Sequence, residues 1–228
     1  MIAAAFRAAS QVFEQPFRAI FWKSLGFTLA ALFLIWLLLN GVVSSFLTLP
    51  YAWLDTALSI LTGIGAFIGL GFLVAPVTAL FAAFFQDDVA AIVEAEDYPA
   101  EGIGRAMPIA QSIAITLKFT GVVILGNILA LLLLLIPGIN LVAFFLVNGY
   151  LLGREFFEFA AMRFHSPAEA RALRKAKAGT VFLAGLVIAG VLAVPFLNLL
   201  TPIFATIFMV HLYKGARRTS AAPSSNLT

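Results

Sequence analysis

A break at Ile136-Pro137-Gly138-Ile139-Asn140 interrupts an uncharged run from Phe119 to Gly153, and it constrains this chain more than any other feature. The run is roughly 35 residues long, whereas one membrane helix needs about 20. Proline removes a helical N–H and clashes with the preceding turn, and the adjacent glycine accepts a sharp reversal. The run therefore reads as two helical arms of about 18 and 15 residues joined by a tight turn. A second run, Ala178 to Tyr213, repeats the plan around Val194-Pro195-Phe196-Leu197-Asn198, with Pro202 following. At 1.5 Å per residue the four arms span roughly 27, 22, 26 and 17 Å, against a hydrocarbon core of about 30 Å. These lengths predict two re-entrant, partly penetrating hairpins. Turns at membrane depth need burial in protein or contact with water.

The balance of residues sets the class. Of 228 residues 62% are hydrophobic and 11% charged, and the mean hydropathy is +1.05. This predicts an all-α integral membrane protein with several membrane segments. The net charge of +3 does not suggest nucleic acid, and the absence of cysteine excludes disulfides and thiolate metal sites.

Taken in order, residues 1–23 form an interfacial amphipathic helix broken near Pro16, with Phe6, Phe13, Phe17 and Phe21 between polar positions. Residues 24–49 and 56–86 are spanning helices, the second kinked at Pro76. Its Gly63, Gly65, Gly69 and Gly71 form a small-residue face for close helix packing. Residues 87–118 read as solvated cytoplasmic helices and 119–153 as the first hairpin. Residues 154–177 are a basic cytoplasmic helix with a capping box at Ser166-Pro167-Ala168-Glu169. Residues 178–213 form the second hairpin, and 214–228 a disordered tail; the whole of 1–213 reads as a single membrane domain. If both hairpins return to their own side, every Lys and Arg shares one face and Asp55 is the only formal charge on the other. The positive-inside rule then places both termini in the cytoplasm.

No Gly-rich loop ending in Lys-Ser/Thr is present, so no ATP-driven pump is indicated. The two histidines, His165 and His211, are far apart, and no nucleophile–base pair falls inside one membrane segment. This predicts a protein that is not an enzyme and uses no cofactor or metal. The polar residues in the apolar runs are the candidates for function: Thr78, Asn127, Asn140, Asn148 and Asn198. Interhelical hydrogen bonding is the ordinary role of such amides. Asn140 and Asn198 also follow a helix-breaking proline by three residues, where a new helix N-terminus would favour an anion. Arg154, Glu155 and Glu158 stand where the first hairpin leaves the membrane. They suit either a local ion pair or a cytoplasmic gate.

These features together resemble the CysZ sulfate-permease family, part of a wider group that includes the etoposide-induced endoplasmic-reticulum proteins. The likeness runs from about Ala5 to Tyr213. It rests on Ala75-Pro76-Val77-Thr78-Ala79-Leu80, Ile136-Pro137-Gly138-Ile139-Asn140, Asn148 through Glu158, and Pro195-Phe196-Leu197-Asn198-Leu199-Leu200. The resemblance implies a bacterial inner-membrane protein, oligomeric, admitting sulfate or a related small anion for cysteine synthesis. It also implies a sulfate site at a Gly-hydrophobic-Arg-Arg motif. Here that stretch reads Pro16-Phe17-Arg18-Ala19, so Arg18 matches the first arginine, Phe17 precedes it, and Lys23 follows nearby. The alternative is a membrane scaffold or assembly factor that shares the fold and does not transport.

Overall fold

The structure is a computed structural model that describes residues 1–46, 52–106 and 139–221. No strand occurs among the described residues. Eight α-helices are described: α1 (Ile2–Gln11), α2 (Gln15–Phe46), α3 (Ala52–Phe84), α4 (Gln86–Asp97), α5 (Ile139–Met162), α6 (Pro167–Ala176), α7 (Ala178–Ala193) and α8 (Thr201–Ala221). The chain divides into two compact units, Met1–Phe17 with Gln86–Thr228, and Arg18–Phe85.

The second unit is a pair of long helices. α2 starts at Gln15, well before Ser24, because Pro16 occupies its second position, where a missing N–H costs nothing. Pro16 thus opens a helix, and the chain's break falls at residues 12–14. α3 runs as one helix through Pro76. Phe27 of α2 stacks on Phe81 and Phe85, with ring centroids 5.7 and 6.3 Å apart. The glycines of α3 are not packed against any of the described residues. A methyl group added at Gly63, Gly65, Gly69 or Gly71 would meet nothing within 4 Å.

The first unit has its own core. Helices α5 and α7 cross through glycine: a Cβ on Gly185 would lie 1.8 Å from the Gly149 carbonyl oxygen and 2.8 Å from the Gly153 nitrogen. Gly149 and Gly153 are four residues apart, so they line one stripe of α5 and admit the α7 backbone. α5 continues to Met162. Its last nine residues are thus the start of the segment read as a separate basic helix. At Ser166 the capping box forms as expected: the hydroxyl accepts from the Glu169 N–H at 3.4 Å, and the Ser166 N–H donates to the Glu169 carboxylate at 2.8 Å. The backbone and hydroxyl bonds from Ser166 hold the Glu169 carboxyl below its ordinary pKa.

α6 and α7 meet at Lys177 at 91°. After α7 the chain turns at Val194–Phe196. Phe196 adopts φ 66°, an uncommon conformation for a bulky residue, and is 86% exposed. A 3-10 turn at Leu197–Leu200 leads into α8. Leu197–Ala216 makes 20 residues that are long and apolar enough to cross a membrane. The last arm is therefore long enough, because the helical path already begins at Leu197, carries Pro202 in the first turn of α8 and runs past Tyr213. The turn of the first hairpin at Pro137-Gly138, and Asn127, lie outside the described residues.

Candidate functional site

Charge is buried inside the first unit. α4 was expected to be solvated, yet Val89, Ala90, Val93 and Glu94 are buried along one face of it. Glu94 is fully buried and accepts from Arg163 Nε at 2.8 Å and Nη2 at 2.9 Å, a bidentate pair. The Gly104 N–H donates to the same carboxylate at 2.8 Å. Arg163 also reaches Asp87 and the Gly104 carbonyl. Burial opposes the Arg163 charge, but the bonds and charges of Glu94 and Asp87 outweigh it and raise the guanidinium pKa. A side chain at Gly104 would sit 2.7 Å from Arg163 Cβ, so only glycine brings this backbone onto the pair.

A second polar chain ties α1 to α4 and α8. Tyr98 Oη lies 2.8 Å from His211 Nδ1, and His211 Nε2 lies 2.7 Å from Gln11 Oε1. Gln11 Nε2 donates to Asp97 Oδ2 at 2.7 Å, and Arg7 donates to Asp97 Oδ1. Because an amide oxygen only accepts, these contacts assign His211 as the Nε2–H tautomer, with Tyr98 donating to Nδ1. Lys214 is also buried, 3.2 Å from Glu101 Oε2 and 3.8 Å from the centre of the Phe164 ring. Only these partners make burial of so many ionic groups tolerable.

The residues expected to act on an anion are placed differently. Phe17 is fully buried, whereas Arg18 and Lys23 are exposed on α2. Five residues apart, Arg18 and Lys23 point about 140° away from one another around the helix. Thr78 is fully buried and its hydroxyl has no hydrogen-bond partner among the described residues; the same is true of Ser24 on α2. Asn140 is the second residue of α5, and its side chain lies outside the described residues. Asn148 donates to the Phe144 carbonyl at 2.9 Å, a bond within its own helix. Asn198 is half-buried in the 3-10 turn, and its side chain caps no helix among the described residues.

At the end of α5, Glu158 is held by Arg174 Nε at 2.7 Å, with Arg154 Nε at 3.6 Å. The nearer partner comes from α6, sixteen residues on. Glu155 is exposed.

The Arg163–Glu94 pair and the His211 chain were missed. One signal was available. Ala90, Val93, Glu94 and Asp97 fall at helical spacing, so Glu94 occupies an apolar-face position without being apolar.

Two stretches among the described residues, Gln15–Val42 and Leu197–Ala216, are long and apolar enough to cross a bilayer. With an all-helical fold and buried, paired charges, they define a helical membrane protein. The family described as sulfate transporter CysZ/etoposide-induced protein 2.4 matches residues 4–202, and the chain belongs to that family. No curated protein matches it.

Proposed function

We propose that the protein is a passive anion facilitator of the bacterial inner membrane, carrying sulfate without ATP. The observation that carries this reading is the match of residues 4–202 to a family named for sulfate transport. Both termini lie in the cytoplasm, α2 and α3 span the bilayer, and the segments around Pro137 and Pro195 penetrate it as hairpins. The 1–213 region works as one membrane domain in a homo-oligomer.

Two features support a water-filled path. Ser24 and Thr78 bury hydroxyls on the two long helices that have no hydrogen-bond partner among the described residues. Such a group in an apolar surround costs about 1–3 kcal/mol unless a water or hydrated ion satisfies it. The half-buried Asn198 amide can likewise face water. In this reading Arg18 and Lys23 attract the anion, and Arg154, Glu155 and Glu158 gate the cytoplasmic mouth together with Arg174.

Radiolabelled sulfate uptake into proteoliposomes, competed with sulfite, phosphate and chloride, tests the proposal. Thr78→Val and Asn198→Leu should lower flux per folded protein, because an apolar constriction dewets. Arg18→Ala should weaken sulfate binding roughly tenfold or more by removing a charge-assisted bond. Wild-type protein that is folded and inserted yet passes no anion would instead favour the scaffold reading. The divergence of Arg18 and Lys23 around α2 is what speaks for that alternative.

A further inference from the structure

A cavity of about 440 Å³ lies in the first unit, among α1, α7 and α8. Arg7, Tyr98, Lys177, Thr180 and His211 are among its lining residues; no aspartate or glutamate among the described residues lines it, while Asp97 pairs with Arg7. We propose that it is an oxyanion site, built from none of the residues assigned to sulfate passage, that takes a phosphate- or sulfate-type group.

The argument runs through each polar wall. Tyr98 and His211 spend their ring atoms on the chain that ends at Asp97, so they form a fixed wall. Arg7 is held in place by Asp97 at Nη2, and a guanidinium carries further N–H donors that one carboxylate oxygen does not use. Lys177 has no carboxylate within ion-pair distance among the described residues. Thr180 stands one turn further along, on the first turn of α7, and that helix has no side-chain cap. Lys177, the Arg7 donors that Asp97 leaves unused and the Thr180 hydroxyl are a donor set for an oxyanion.

The volume is in the range of small-molecule sites and exceeds what a bare tetrahedral anion needs. The fit is better for an esterified oxyanion. The neighbourhood points the same way. Ile2, Phe6 and Phe13 are 69%, 75% and 60% exposed. Ile2 and Phe6, four apart on α1, share one face of that helix, and Phe13 follows in the turn after it. A face of that kind belongs at the lipid–water boundary, where anionic phospholipids present their phosphates. A free phosphate or sulfate ion offers the same chemistry from solution.

Native mass spectrometry of the full chain in detergent separates the sources. It would be titrated with phosphatidylglycerol, phosphatidylcholine, inorganic phosphate and inorganic sulfate. Phosphatidylglycerol retained over phosphatidylcholine identifies the headgroup; competition by the inorganic ions identifies a free anion as well. In either case Lys177→Gln should weaken binding roughly tenfold, and the exposed neighbour change Lys175→Gln should not. Sulfate flux is measured separately on the same variants, so loss of binding with normal flux leaves the transport reading untouched. The site is refuted if no titrant binds, or if Lys175→Gln and Lys177→Gln weaken binding alike.

Discussion

The glycines of α3 and those of the α5–α7 crossing look alike on paper and behave oppositely. Gly63, Gly65, Gly69 and Gly71 have open space where a side chain would go. Gly185 has a carbonyl oxygen 1.8 Å from that point. Buried polar groups differ as well. In the first unit, Glu94 and His211 are buried with partners from distant parts of the chain. In the second, the buried Thr28 hydroxyl bonds to the Ser24 carbonyl of its own helix at 2.8 Å, and the Ser24 and Thr78 hydroxyls have no hydrogen-bond partner among the described residues. The share of each candidate span that is buried follows suit: 72% for Leu197–Ala216 and 11% for Gln15–Val42. One unit makes its own interior. The other leaves most of its helical surface to whatever surrounds it, so the glycines of α3 are not consumed by internal packing.

Three substitutions probe that contrast. The largest effect is expected for Glu94→Ala, which strands the Arg163 guanidinium in a buried site. Breaking one side of a buried pair costs about 3–5 kcal/mol. Monodisperse protein in detergent should be lost at markedly lower temperature, and an unchanged melting profile would mean that water reaches the pair.

Gly185→Ala comes next. Its methyl collides with the backbone of α5, which cannot swing aside as a side-chain tip can. Overpacking of this kind costs about 1–3 kcal/mol. The same heating assay should show a clear loss, and full tolerance would show that α5 and α7 can separate freely.

Gly65→Ala should do least. With nothing near its Cβ, the change only trades glycine's backbone freedom for alanine's helix preference, worth about 1 kcal/mol in favour of the helix. Equal or slightly higher thermal stability is expected. A fall comparable to that of Gly185→Ala would show that this face of α3 is packed after all.

Helix identity and placement were largely legible before any coordinates. Apolar runs, the break at Pro195 and the Ser166 capping box are local signals. Each states what the backbone can do within a few residues. Boundaries were less secure where one residue type has two uses. Pro16 was read as a breaker and is a helix starter, because the first turn has no use for the N–H that proline lacks. The last arm was read as short because it was bounded by Pro202 and the charge at Lys214, but Pro202 fits the first turn of a helix, and the helix persists through the charge where its apolar face is buried, as Val210, Leu212 and Tyr213 are.

Only the tertiary structure decided which polar residues meet. Glu94 and Arg163 are separated by 69 positions, and Gln11 and His211 by 200. No periodicity joins residues that far apart, because their meeting depends on the path the chain takes back through the fold. The same holds for the glycines. A stripe of small residues states that a helix can be approached closely, while the partner that approaches is supplied from elsewhere. Hydropathy told how much of this chain must leave water; which charges could leave with it depended on partners that only packing brings within hydrogen-bond reach.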